Sequence, residues 1–127
     1  MRDEAGGAIW ALARLLGSAT RAQVLLWLVA REESYAREIA AALGPALNVF
    51  QTQLARLEAC GIVTSRRVGR VKMYRLDPAC PVRSELEALL RRALEHLPAG
   101  ERSRFRPARP PTRARDERYV IVRRYEE

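Results

Sequence analysis

The sequence predicts a mainly α (α+β) fold: a winged helix-turn-helix with a two-stranded β-hairpin wing and flanking N- and C-terminal helices. Three observations predict it. Apolar residues recur at helical spacing as far as Cys60, interrupted at Gly17-Ser18, Glu32-Glu33-Ser34 and Gly44-Pro45. After Gly61 the period changes to strand-like alternation in two short runs joined by Gly69-Arg70. A last helical stripe then runs to Pro98, which ends it.

The first helix is expected from about Asp3 to Leu16, with Ile9, Leu12, Ala13 and Leu16 on one face. Asp3 and Glu4 fall in its first turn, where the helix dipole favours acids, and Gly17 can stop it. Ser18 is placed to cap a second helix that runs to about Arg31 and buries Val24, Leu25, Leu28 and Val29. Glu32-Glu33 end it. Ser34 is then expected to cap a short third helix, Tyr35 to Leu43, with Ala36, Ile39, Ala40 and Leu43 inward. The fourth helix spans about Ala46 to Cys60, with Gly61 at the position just past its end. Val49 or Phe50, then Leu54 and Leu57, face in; Asn48, Gln51, Thr52, Gln53 and Arg56 face out. The strands are residues 62–68 and 71–76. The fifth helix, about Val82 to Leu97, carries Leu86, Leu89, Leu90, Ala93, Leu94 and Leu97 on its apolar side.

With 127 residues, 48% of them hydrophobic, the chain has material for one domain and one modest core. That domain is expected over residues 1–98. From Ala99 to Arg118 Pro and Arg dominate, and Phe105 is the one large apolar residue there; residues 99–127 therefore read as a basic tail that ends in a strand-like patch, Tyr119 to Val122. The 23 basic and 15 acidic residues give a net charge of +8, which favours a polyanionic partner. Nucleic acid, an anionic membrane and plain solubility all fit that number. The two cysteines, Cys60 and Cys80, do not make a disulfide framework and suit a reduced compartment. The start lacks the basic region of a signal peptide, and the longest apolar run, Val24 to Ala30, is too short to cross a bilayer. A cytoplasmic protein with no membrane partner is the expectation.

A short helix, a brief turn and a second helix form a helix-turn-helix, and the second helix of such a pair fits the DNA major groove. Asn48, Gln51, Thr52 and Gln53 offer amide and hydroxyl groups that both donate and accept, the chemistry needed to read base edges. Arg56, a turn further on, suits a phosphate or a guanine edge. The hairpin carries Arg66, Arg67, Arg70, Lys72 and Arg75, which strand alternation divides between two faces. Arg67, Arg70 and Lys72, closest to the tip, are the candidates for phosphate or minor-groove contact. The plain alternative is an ordinary solvated helix face beside a hairpin charged for solubility.

These residues resemble a known family. The opening Leu16-Gly17-Ser18-x-Thr20-Arg21, then Arg37-Glu38-Ile39-Ala40-x-x-Leu43-Gly44, Leu54-x-x-Leu57-Glu58-x-x-Gly61-Ile62-Val63 and Arg66-x-x-Gly69-Arg70-x-x-x-Tyr74-Arg75-Leu76 look like the winged-helix domain of ArsR-type repressors. The resemblance covers roughly half the chain and implies a DNA-binding transcriptional repressor. Asp77 to Leu86 is similar to a subgroup often joined to a nucleotidyltransferase domain. No Gly-Ser followed by spaced acids occurs after Leu97, so a link to such an enzyme is expected to run through a separate protein. Metal-sensing members carry cysteines at the start of the third helix; this chain has Ser34-Tyr35-Ala36-Arg37, which excludes thiolate sensing there.

The surplus apolar faces of the end helices point to a homodimer through Ile9, Leu12, Leu16, Leu86, Leu90, Ala93 and Leu97, with recognition helices about 34 Å apart. The tail has three readings: an arm adding phosphate contacts through Arg102, Arg104, Arg106, Arg109, Arg113 and Arg115, a docking strand at residues 119–123, or a silent extension. Cys60 reads as a small core residue and Cys80 as an exposed thiol, either one a sensor only as a minor alternative; Trp10 and Trp27 read as packing. With one histidine, His96, no Gly-rich phosphate loop and no metal cluster, the sequence argues against an enzyme and implies no cofactor and no metal. The rival to the DNA-binding reading is a protein-interaction module, an antitoxin-like or adaptor partner of a separately encoded enzyme, using the C-terminal tail.

Overall fold

The computed structural model describes residues 7–44 and 46–105, without the side chains of Ala8 and Ile9. Expectations that rest on Asp3, Glu4, Ile9, Pro45 and residues 106–127, including Arg106, Arg109, Arg113, Arg115 and the Tyr119 to Val122 patch, lie outside the described residues.

The winged helix-turn-helix expected from the sequence is present. Helix α1 (Gly7–Leu16) turns at Gly17, whose φ of 87° suits glycine, into α2 (Ala19–Arg31). The Ser18 hydroxyl accepts the Arg21 N–H at 3.1 Å, so Ser18 is the cap its position suggested. Helix α2 is the centre of the molecule. Ala22 and every residue from Val24 to Val29 are buried, which means that it is covered on nearly all sides. It packs against α1 and, as introduced below, α4, α5 and the second strand.

Helix α3 (Ala36–Leu43) starts differently from the expectation. Its cap position is Tyr35, with no side-chain hydrogen bond, and Ser34 does not cap it. The fully buried Trp27 indole N–H needs an acceptor and takes the Ser34 hydroxyl at 2.8 Å; that hydroxyl in turn donates to Glu38. Glu38 also pairs with Arg31 at 3.2 Å, and the Arg31 guanidinium lies 4.5 Å from the Trp27 ring centre. One cluster thus ties α2 to α3.

Helix α4 (Leu47–Ala59) follows Gly44 and ends in a Schellman turn. Gly61, at φ 82°, sends its N–H to the Glu58 carbonyl, and the Ile62 N–H reaches the Leu57 carbonyl, each at 3.0 Å. Strands β1 (Val63–Val68) and β2 (Val71–Leu76) pair antiparallel from Val63↔Leu76 to Val68↔Val71. Their two-residue turn has positive φ at Gly69 and not at Arg70, the II′ pattern that matches strand twist. Ser34 and Tyr74 exchange backbone hydrogen bonds at 3.1 and 2.8 Å, so the α2–α3 connection adds a short third rung to the outer side of β2.

Helix α5 (Arg83–Glu95) returns over α2 and α1. The chain then continues into the fold beyond the expected boundary at Pro98. Helix α6 (Ala99–Arg102) and a 3-10 turn (Ser103–Phe105) carry Phe105 into the core, where it is 2% exposed and its ring centre is 6.1 Å from that of Trp27. Arg104 reaches back to the Leu43 carbonyl at the end of α3, at 3.5 Å. The folded unit therefore extends at least to Phe105.

Candidate nucleic-acid interface

The residues that bury α4 also decide which of its side chains are free. Phe50, Leu54 and Leu57 lie inward, Phe50 and Leu54 at 0% exposure, and this fixes the rotation of the helix. Val49 is exposed, which settles the alternative between it and Phe50. Asn48, Thr52 and Arg56, at i, i+4 and i+8, then form one exposed stripe, with exposed Gln51 on its flank toward the hairpin.

Gln53 does not belong to that stripe. It is buried, at 9% exposure, and its amide oxygen accepts a hydrogen bond from Arg21 Nε at 2.9 Å. The same guanidinium donates to the Leu16 carbonyl at 2.8 Å, so Arg21 fastens α4 to the end of α1. Expected as an outward base reader, Gln53 is an internal strut. The spacing held the signal: residues 50, 53, 54 and 57 are one helical face.

Hairpin register sorts the wing cations. Arg67 stands directly opposite Lys72, on the face turned toward α4. Arg66, one residue away, points to the other face and pairs with Glu33 at 2.9 Å. Lys72 is also engaged. Its ammonium lies 3.4 Å from a Glu58 carboxylate oxygen and 5.5 Å from the Tyr74 ring centre, and Ser65 donates to the other Glu58 oxygen at 2.6 Å. Tyr74 first, then Glu58, raises the Lys72 pKa above 10.5, so it is a fixed cation at neutral pH. Arg37, Arg56, Arg67 and Arg70 are exposed and have no ion-pair partner among the described residues.

Between the start of α3, the first turns of α4 and the wing lies an open cleft of about 270 Å³. Tyr35, Arg37, Gln51, Arg70, Lys72 and Tyr74 contribute to its walls, and no carboxylate does among the described residues. Periodicity marks the third helix only as a support for α4, so Arg37 and Tyr35 join the candidate site from the structure. Arg37 lies off the Ile39/Leu43 inward stripe, and that was the available signal.

The residues expected at a subunit interface need a correction. Leu12, Leu90, Ala93 and Leu97 are at most 8% exposed because α1, α2 and α5 cover one another within the chain. Leu16 and Leu86 are half-buried against the same core. Among the described residues, the large apolar side chains exposed on α1 and α5 are Trp10, Leu15 and Leu89. Cys60 is exposed rather than buried, Cys80 is half-buried, and both are free thiols. No group of His, Cys, Asp and Glu side chains able to hold a metal occurs among the described residues, and no described helix is long and apolar enough to cross a membrane.

No protein-family model matches the chain, and no curated protein matches it.

Proposed function

We propose that the chain is a sequence-specific double-stranded DNA-binding transcriptional regulator that acts in the cytoplasm as a dimeric repressor of the ArsR-like type. The α4 face carries this reading: Asn48, Thr52 and Gln51 stand exposed beside Arg56 on the helix and Arg67 and Arg70 on the wing, arginines with no ion-pair partner among the described residues. A helix about 10–12 Å across fits a major groove about 12 Å wide. Amide side chains there pair with adenine edges, while the arginines on either side lie over the phosphates. Lys72 contributes charge but stays near Glu58. This reading assigns dimerisation to the exposed Trp10, Leu15 and Leu89, and a two-fold dimer of this kind presents its recognition helices about one DNA turn apart.

Binding to a library of genomic DNA fragments across a salt series tests the proposal. A fragment held about 10³-fold or more above bulk duplex supports a specific regulator. Uniform, steeply salt-dependent binding contradicts specificity and leaves an electrostatic DNA coat. A second reading, a protein-interaction module serving a separately encoded enzyme, draws on Trp10 at 62% and Leu15 at 68% exposure. Capture of one stoichiometric protein with no duplex binding would favour it.

A further inference from the structure

The cleft between helix-turn-helix and wing brings Arg37, which the reading above does not use, together with two cations of the wing. Arg37 enters it from α3, Arg70 from the hairpin turn and Lys72 from β2. Three cations from three separate elements thus line one small space with no carboxylate among the described residues. Lys72 is committed to Glu58 and Tyr74 on one wall. Arg37 and Arg70 have no ion-pair partner among the described residues. Like charges that line one cleft repel one another, and an anion between them relieves the repulsion.

Size narrows the occupant. At about 270 Å³ the cleft lies just below the range of roughly 300–1,000 Å³ typical of enclosed small-molecule pockets, and it is open to solvent. It suits one anionic group presented at the mouth of the cleft by a longer ligand. Guanidinium forks match the paired oxygens of a phosphate better than an ammonium does. The position then selects the ligand, because Gln51 joins the cleft to the α4 stripe that reads bases.

Building on the DNA-binding reading, we infer that Arg37 and Arg70 clamp a single backbone phosphate of the duplex where one strand passes between α4 and the wing. Arg37 is thereby a phosphate-binding residue contributed by the first helix of the helix-turn-helix. Tyr74 and Glu58 position Lys72 as the charged wall behind that phosphate.

The test measures affinity and salt dependence on the best-bound fragment and on bulk duplex for the full chain and for Arg37→Ala, Arg70→Ala, the double variant and an Arg75→Ala control. Arg37 and Arg70 are exposed and unpaired among the described residues, so the thermal midpoints should match the parent and exclude a folding effect. Each cleft variant is expected to bind about tenfold weaker on both DNAs alike. Because one phosphate is shared, the double variant should lower the slope of log K against log salt by about one in total. A drop of about two means two separate phosphates and overturns the clamp. Unchanged binding by Arg37→Ala, with Arg70→Ala weakened or not, overturns the role of Arg37 while leaving the DNA-binding reading intact. A parent chain that binds no duplex overturns both.

Discussion

Helices α2 and α4 are each 13 residues long and sit side by side, yet they do opposite work. On α2 seven residues are buried, six of them consecutive, while α4 buries four and leaves a polar stripe in solvent. The cations follow the same division. Arg31, at the end of α2, is matched by Glu38, whereas Arg56 on α4 has no ion-pair partner among the described residues. Substitutions on α2 should therefore register as lost stability, and substitutions on the α4 stripe as altered binding.

The sharpest break of that comparison is Trp27→Ala. It removes the largest fully buried side chain together with the Ser34 hydrogen bond, and should cost about 3–5 kcal/mol in denaturant unfolding. Phe105→Ala should cost about 3 kcal/mol by the same measurement if the turn after Pro98 belongs to the core; a change within about 0.5 kcal/mol would place it outside. Asn48→Ala should leave unfolding unchanged and weaken discrimination at one base pair by about 1–3 kcal/mol in competition binding. Gln53→Ala, on the same helix, should do the reverse: about 1 kcal/mol of stability lost through Arg21 and base preference retained.

The smallest effect concerns Lys72. Its folded pKa is raised above 10.5, so its favourable contribution is complete below that value and is lost only as pH rises through the raised one. DNA affinity of the parent and of Lys72→Arg should then show the same pH dependence between about pH 6 and 9. A transition in that window confined to the parent would contradict the Glu58–Tyr74 environment.

Elements with local rules were legible in the sequence. Ser18 caps α2, Gly61 closes α4, and Gly69 makes the hairpin turn, because each depends on backbone geometry fixed within a few residues. Roles set by distant partners were not. Ser34 looked like a cap, but a buried indole on the preceding helix claims its hydroxyl. Phe105 looked isolated in an Arg/Pro-rich stretch until Trp27 supplied its site. Leu90 and Leu97 illustrate a general ambiguity: an amphipathic stripe shows that a face is covered, not whether the cover is the same chain or a second copy. In the candidate site, Asn48, Thr52 and Arg56 were readable from periodicity alone, whereas the cleft needs α3, α4 and the wing in one place.

The most direct measurement is a backbone amide NMR map recorded as the best-bound duplex is titrated into the labelled full chain. The account predicts that shifts concentrate at Asn48, Gln51, Thr52 and Arg56 of α4, at Arg67 and Arg70 of the wing and at Arg37, with the α2 interior silent. Shifts confined to α1 and α5 around Trp10, Leu15 and Leu89, or none at all, would contradict it.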